Sequence, residues 1–141
     1  FDRKSQRFSH RIGVWDGKGG EKMTALELAK KVAALLDAKK AKDVEAIDIN
    51  GLTTIGDYFV VASGSSTSQT KALADEVEEK LSQLGVEPKR VEGYNSAAWI
   101  LLDYSDVIVH VFLEEAREFY SLDRLWADAP RVDLSDVLTQ D

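Results

Sequence analysis

A glycine–serine pair and a run of carboxylates are the residues of this sequence most suited to catalysis. Gly64-Ser65 is followed, after nine residues, by Asp75-Glu-Val-Glu78, a pattern typical of enzymes that transfer nucleotidyl groups. That chemistry needs carboxylates two positions apart on a strand, so that both point at the same magnesium ions. Here the spacing of Leu73, Val77 and Leu81 predicts a helix, on which residues two apart face different directions. A solvated helix face is therefore favoured, with nucleotidyl transfer as the alternative.

The other reactive side chains form no catalytic arrangement. His110 stands alone in an apolar stretch, where a histidine is more often packed than bound to a metal. Asp103 and Asp106 flank a turn and could bind a cation, but aspartates at turns more often bond their own backbone. The serines near Gly64 have no neighbouring histidine to act as a base. The sequence has no cysteine, which excludes thiolate catalysis and cysteine-bound zinc. We predict a protein that is not an enzyme and has no metal or cofactor.

Apolar periodicity and capping patterns place these residues on helices and strands. Thr24 to Glu27 predicts a capping box that opens a helix, and Ser66 to Gln69 predicts a second one. The apolar run from Tyr58 to Ala62 predicts a strand covered on both faces. The predicted elements are helix 24–39, strand 44–49, strand 58–62, helix 66–84, strand 90–92, strand 98–103, strand 107–113 and helix 114–120. This order predicts an α/β fold with a mixed sheet flanked by helices.

Strands 98–103 and 107–113 form a predicted hairpin with two different faces. A two-residue turn at Tyr104-Ser105 would pair Trp99 with His110 and Leu101 with Ile108. One face then holds only aliphatic residues: Ile100, Leu102, Val107, Val109 and Val111. The other face mixes aromatic, aliphatic and acidic residues: Trp99, Leu101, Asp103, Asp106, Ile108, His110 and Phe112. We expect helices over the aliphatic face, whereas the mixed face could be an interface or a second core around Trp99.

The two ends of the chain differ from its middle. Residues 1–22 contain four glycines and no sustained apolar period, so we predict a flexible leader or an artificial extension, with a functional basic arm as the alternative. We assign the α/β domain to residues 23–130 and an acidic, loosely held tail to residues 131–141. No apolar run approaches the length needed to cross a bilayer.

Charge is unevenly distributed along the chain. The formal net charge is −7, but residues 1–22 hold six Lys/Arg against three Asp/Glu, so residues 23–141 carry −10. A domain this acidic is a poor binder of phosphate backbones, because such binding depends on cations that displace counterions. We therefore expect little direct contact with nucleic acid, and a basic protein as the partner if the domain acts beside nucleic acid.

At this point the sequence resembles a known family, the bacterial ribosomal silencing factors, which are related to the Iojap proteins of plants and mitochondria. The matching residues are Asp57-Tyr-Phe-Val60, Gly64 with Ser66, Glu92-Gly93, the stretch from Trp99 to Phe112, and then Arg117, Tyr120, Leu122 and Leu125-Trp126. The resemblance extends from Met23 to about Trp126. It implies a mixed five-stranded sheet whose shape is similar to that of nucleotidyltransferases, without their activity.

The resemblance also implies a function and a set of contact residues. Family members bind large-subunit protein fourteen, a small basic protein, and so block joining of the small ribosomal subunit and repress translation in the cytoplasm. Organelle relatives act in large-subunit maturation. The residue that matches the family's partner-contacting tryptophan is Trp99. Extending the site along the same region gives the predicted contact set: Trp99, Leu101, Asp103, Asp106, His110, Phe112 and Tyr120.

One departure from the family and two alternatives accompany this interpretation. The family commonly has glycine where Ser105 lies in the turn, and a primed two-residue turn needs positive φ, which serine adopts at a cost.

A degenerate nucleotide-binding relative of the nucleotidyltransferases is the first alternative. The second is a homodimeric large-subunit assembly factor, in which Trp99 would be buried between two copies when the protein is free.

Overall fold

A computed structural model describes residues 14–15, 22–120, 124 and 126–138, with side chains described for 23–118, 124 and 126–138. The strands are β1 (Val14–Trp15), β2 (Lys22–Met23), β3 (Lys42–Asp48), β4 (Tyr58–Gly64), β5 (Arg90–Glu92), β6 (Trp99–Asp103) and β7 (Val107–Leu113). The helices are α1 (Ala25–Ala38), α2 (Thr67–Gln83) and α3 (Glu114–Tyr120). The predicted order of elements from α1 onward is confirmed, and the structure adds the two-residue strands β1 and β2, which pair with each other.

The main sheet has five strands in the order β3-β4-β7-β6-β5. Strands β4 and β7 are parallel, whereas the other neighbouring pairs are antiparallel. The predicted α/β class with a mixed five-stranded sheet is therefore confirmed. Strand β4 has β3 and β7 on its two sides and is buried from Phe59 to Gly64, which explains why its sequence is apolar without alternation.

Helices α1 and α2 cover one face of the sheet. The larger core cluster forms there from Leu28, Val32 and Leu36 of α1, Leu73, Val77 and Leu81 of α2, and inward side chains of the strands. Within the hairpin, the aliphatic face supplies Ile100, Leu102, Val107, Val109 and Val111, all of which are fully buried. The prediction that helices cover the aliphatic face is confirmed.

The C-terminal segment packs along the outer edge of β3. The amide of Asp48 donates to the carbonyl of Pro130, and the amide of Val132 donates to the carbonyl of Ala46, both at 2.8 Å. Leu134 is buried in the core cluster under the helices. The expectation of a loosely held tail after residue 130 therefore does not describe residues 131–138, and residues 139–141 lie outside the described part of the chain.

The hairpin between β6 and β7 has a different register from the expected one. Trp99 pairs with Phe112, Leu101 with His110 and Asp103 with Ile108. The predicted pairing of Trp99 with His110 and of Leu101 with Ile108 is therefore wrong. The turn lies at Ser105-Asp106, one residue later than expected, because the amide of Tyr104 donates to the carbonyl of Val107 at 2.9 Å. A shift of one residue in the turn moves the register by two positions, so every side chain keeps its predicted face.

The helix ends follow the predicted caps with one difference. At α1, Thr24 and Glu27 each accept the other's backbone amide and form the full capping box. At α2, Ser66 caps the amide of Gln69, but the Gln69 side chain accepts from the amide of Ser65 instead of the amide of Ser66. The second capping box is therefore only half formed. Gly85 ends α2 with φ of +83°, as its sequence position predicts.

The predicted leader lies mostly outside the described residues. Of residues 1–22, the structure describes only Val14–Trp15 and Lys22, which belong to the pair of short strands. Its assignment as a leader, an artificial extension or a basic arm stays a prediction.

Candidate partner-binding face

The second face of the sheet, which we call the Trp99 face, carries the residues that were predicted to contact a partner. It includes Trp99, Leu101 and Asp103 on β6, Ile108, His110 and Phe112 on β7, and Phe59 and Val61 on β4. A smaller core cluster forms on this face around Phe59, Phe112 and Ile47, with Trp126 packed against it. The Trp99 face is therefore neither fully covered nor fully open.

Trp99 is partly exposed, and its side chain is held in place by two buried residues of β7. Its indole Nε1–H donates to Nδ1 of His110 at 3.0 Å, and its ring lies 4.9 Å from the ring of Phe112 between centroids. Leu101, the next residue on the same face, is also partly exposed. A rigid aromatic side chain beside an aliphatic one is the composition of a protein-binding anchor.

Phe112 and His110 belong to the interior. Phe112 has no exposed surface and His110 is 4% exposed, because Trp99, Phe59 and Phe112 surround the imidazole. The expectation that Phe112 and His110 form part of an open contact surface is thereby corrected: both rings lie beneath Trp99, and His110, but not Phe112, lines a cleft on this face. Burial also lowers the pKa of His110 to about 4, so its imidazole is neutral near pH 7.

The two turn aspartates have different environments. Asp103 is partly exposed and accepts from Arg90 Nε at 3.2 Å and from the amide of Ser105 at 2.8 Å. Asp106 is 2% exposed, and its carbonyl accepts from the amides of Asp57 and Tyr58. Asp106 therefore cannot contact a partner at an open surface, as its place in the predicted contact set requires, since its side chain lies inside the fold. The Tyr120 side chain lies outside the described residues.

A cleft of about 270 Å³ opens on the Trp99 face beside Leu101. Its lining residues are Thr54, Ile55, Phe59, Lys89, Arg90, Leu101, Asp103, Ile108 and His110. Ile55 is 48% exposed, and Leu52 in the same loop is 57% exposed. Sequence reasoning missed this loop and the basic pair Lys89-Arg90. The loop could have been identified from the sequence, because the turn from Asn50 to Gly56 is otherwise polar but contains two large aliphatic residues.

The carboxylates of the nucleotidyl-transfer pattern lie on α2, as predicted. Asp75 accepts from the hydroxyl of Tyr94 at 3.0 Å, which raises the pKa of that phenol. In the part of the chain that the structure describes, no three His, Cys, Asp or Glu side chains group as metal ligands. Within the same residues, no helix has the length and apolarity that crossing a membrane requires.

A second cleft, of about 420 Å³, lies where α3 meets β3. Four glutamates, Asp43 and Arg117 line it. Arg117 is buried and donates from one guanidinium nitrogen to the carbonyl of Asp43 at 2.7 Å and to the hydroxyl of Ser63 at 2.9 Å. Arg117 therefore ties α3 to the sheet at the register shift of β3, which gives this motif residue a structural role.

Comparison with known proteins places this geometry in a family. Residues 22–141 match the family model described as "Ribosomal silencing factor during starvation". The chain is 38% identical over 118 residues to the ribosomal silencing factor of Bacillus subtilis, which covers 84% of this chain and 100% of that protein. It is 40% identical over 117 residues to that of Halalkalibacterium halodurans, covering 83% of this chain and all of the relative.

A solved structure and more distant relatives agree with this match. The crystal structure of a Chromobacterium violaceum protein aligns with a TM-score of 0.72 at 38% identity and covers 74% of this chain and 88% of that one. The mouse "Mitochondrial assembly of ribosomal large subunit protein 1" is 29% identical over 98 residues, 67% of this chain and 43% of that protein. The maize chloroplast protein Iojap is 28% identical over 113 residues, 78% of this chain and 46% of that protein. The chain belongs to the family of ribosomal silencing factors.

Proposed function

We propose that this protein binds the large ribosomal subunit through the Trp99 face and prevents the small subunit from joining. The observation that carries the proposal is the partly exposed pair Trp99 and Leu101 beside the exposed apolar loop of Leu52 and Ile55. The opposite face of the sheet is filled by α1 and α2, so the Trp99 face is the part of the sheet left for a partner. The partner there is large-subunit protein fourteen, and repression of translation takes place in the cytoplasm.

Charge supports a protein partner in place of ribosomal RNA. Residues 23–141 carry a formal charge of −10, which opposes contact with phosphate and favours a basic protein. The same charge would repel the RNA of an incoming small subunit and so add to steric exclusion. Neutralising carboxylates on α2, such as the exposed Glu79 and the partly exposed Glu76, tests this addition, because α2 packs on the other face of the sheet. Unchanged inhibition of subunit joining by a variant that still binds would show that bulk alone accounts for the effect.

Cosedimentation with purified large and small subunits tests the binding site. Replacement of an aromatic anchor typically costs at least about 2 kcal/mol, or roughly 30-fold in affinity. We therefore expect Trp99→Glu and Leu101→Glu to lose the large subunit, while wild-type protein binds it and leaves the small subunit in the supernatant. The matched control is Leu26→Glu, because Leu26 is a 38% exposed aliphatic residue on α1, which packs on the other face. Wild-type-like sedimentation of both Trp99 face variants would refute the site.

Assembly of the large subunit is a second candidate function. The name of the mouse relative refers to assembly of the mitochondrial ribosomal large subunit. Both functions require binding to large-subunit particles, but they differ in the particle that is bound. A factor that blocks joining binds mature large subunits and inhibits their association with small subunits. A factor confined to assembly would bind immature particles and leave the joining of mature subunits unaffected.

The homodimer and nucleotide-binding alternatives have separate tests. A homodimer that buries Trp99 between two copies would show a change in tryptophan emission across a dilution series, whereas a monomer would not. A retained nucleotide site would give a heat signal on titration of the protein with ATP and magnesium. We expect that titration to be silent, because the carboxylates lie on helix α2 and Asp75 already accepts from Tyr94.

A further inference from the structure

The cleft beside Leu101 has an apolar floor with one polar group in it. Phe59, Leu101 and Ile108 line it together with the imidazole of His110, and Ile55 closes one side. At about 270 Å³ the cleft is large enough for one side chain of a partner and too small for a folded element. The polar groups around this floor therefore determine which side chain fits.

The hydrogen bond from Trp99 fixes the tautomer of His110. Nδ1 accepts the indole N–H at 3.0 Å, and a neutral imidazole that accepts at one nitrogen carries its proton on the other. Nε2 is therefore a donor, yet it is buried without a hydrogen-bond partner. Buried polar groups are normally satisfied. Because Nε2 itself has almost no exposed surface, an acceptor that enters the cleft would reach this donor once the lining side chains move aside.

The charges at the mouth of the cleft favour an anionic acceptor. Arg90 is neutralised by Asp103 at 3.2 Å and by Glu92 at 3.0 Å. Lys89 lines the same cleft, and within the described residues its ammonium group has no carboxylate partner. The two carboxylates pair with Arg90, so the unpaired ammonium of Lys89 is the charge that a ligand in the cleft would meet. A lysine or arginine of the partner would meet this cation and would offer His110 a donor where an acceptor is needed.

We propose that the cleft takes a glutamate side chain of the ribosomal partner, with its methylenes on Leu101 and Ile108 and its carboxylate bound by His110 Nε2–H and Lys89. The inference rests on the proposed function, because it assumes that the Trp99 face is where the large subunit binds. It adds a specificity element to that face: a basic partner protein would be recognised here by an acidic residue. The methylenes distinguish glutamate from inorganic anions, and the charge distinguishes it from glutamine.

Small-molecule probes test the chemistry of the cleft without the ribosome. Butyrate reproduces the stem and carboxylate of glutamate, butyramide is its uncharged counterpart, and n-butylammonium is the cationic one. We expect butyrate to shift the His110 ring resonances in NMR spectra saturably, butyramide to do so more weakly, and n-butylammonium to have no effect. Lys89→Met should remove the preference for butyrate over butyramide. The matched control Lys31→Met, an exposed lysine on α1, should retain it. An unshifted His110 in saturating butyrate would overturn the proposal.

Cosedimentation separates failure of this inference from failure of the proposed function. Lys89→Glu should weaken binding to large subunits by at least about tenfold, because it places like charge opposite the partner's carboxylate. Lys31→Glu should bind as wild type does. Equal binding of wild type and Lys89→Glu would reject the glutamate contact while leaving the function intact. Absence of wild-type binding would reject the function itself, and with it the ribosomal occupant of the cleft.

Discussion

The indole N–H of Trp99 donates to Nδ1 of His110 at 3.0 Å, across the pair of strands β6 and β7. This bond orients the exposed tryptophan with a residue that is itself almost completely buried. The Trp99 face is therefore preorganised, because the exposed ring cannot turn without breaking a bond inside the protein. Preorganisation reduces the entropy that an interface loses on binding.

Trp99→Phe should lower the free energy of unfolding, since it leaves Nδ1 of His110 without its donor. The loss of the bond is worth about 1 kcal/mol, in addition to the smaller ring. Denaturant unfolding of Trp99→Phe, His110→Phe and the double variant gives a double-mutant cycle, whose coupling energy measures the interaction between the two side chains separately from their packing against other residues. Strictly additive effects of the two substitutions would mean that the bond contributes nothing to stability.

Stability should fall in acid because His110 is buried in its neutral form. Burial lowers its pKa from 6.5 to about 4, so the unfolded chain binds a proton at higher pH than the folded protein does. Above about pH 6.5 His110 is neutral in both states, and its protonation does not reduce the free energy of unfolding. As the pH falls from 6.5 towards 4, the free energy of unfolding decreases by about 3 kcal/mol in total, because only the unfolded chain takes up the proton. Unfolding of wild type and His110→Phe should be compared across this range, because carboxylates titrate in both proteins. A wild-type curve parallel to that of His110→Phe would contradict the assignment.

Gly93→Ala should be strongly destabilising. Gly93 has φ of +79°, and an added Cβ would lie 2.1 Å from the carbonyl oxygen of Trp99, so β6 would have to move. We expect a loss of more than about 2 kcal/mol in unfolding free energy and weaker binding to large subunits. Gly51→Ala is the matched control, because Gly51 has φ of +88° with no atom within 4 Å of the added Cβ. Gly51→Ala should cost only about 1 kcal/mol in unfolding free energy, because the only penalty is that alanine must adopt a positive φ. Equal losses for the two variants would exclude the steric contact.

Ser105→Gly should stabilise the hairpin. Ser105 has φ of +75°, and the amide of Asp106 donates to the carbonyl of Tyr104 across it at 2.9 Å, which is the strained form of a γ-turn. Glycine adopts this φ without the steric cost, for a net gain of about 0.5–1 kcal/mol after its greater freedom in the unfolded chain. Ser105→Ala keeps the positive φ and removes the hydroxyl, so thermal unfolding of both variants separates the two effects. A gain in Ser105→Ala alone would show that the hydroxyl, and not the backbone, is unfavourable.

Local patterns were sufficient to predict the elements and the faces of the sheet. The spacing of Leu73, Val77 and Leu81 identified α2, and alternation in β6 and β7 assigned every hairpin residue to its observed face. The register was missed because alternation determines only the parity of a pairing. The exact register also depends on the position of the turn, which Ser105 shifts by adopting a positive φ.

The candidate site was less predictable, because burial depends on chain segments that are distant in sequence. Phe112 and His110 look like surface residues beside Asp103, but the ring of Trp126 packs at 5.5 Å from Phe59 and helps close their cluster. The cleft likewise needs the loop of Ile55 to lie across the sheet from Arg90. No period within one strand carries information on such contacts.

The segment around Arg131 also has a consequence for how the protein behaves in concentrated solution. A sheet with open sides can recruit a strand from another molecule and begin to aggregate. Here the backbone of Pro130 and Val132 occupies hydrogen-bonding positions along β3 at one side. At the other side β5 has only three residues, of which Arg90 and Glu92 are charged. Because β5 is short and charged, and because Pro130 and Val132 cover the edge of β3, an unrelated polypeptide in a crowded cell finds few free backbone groups with which to pair.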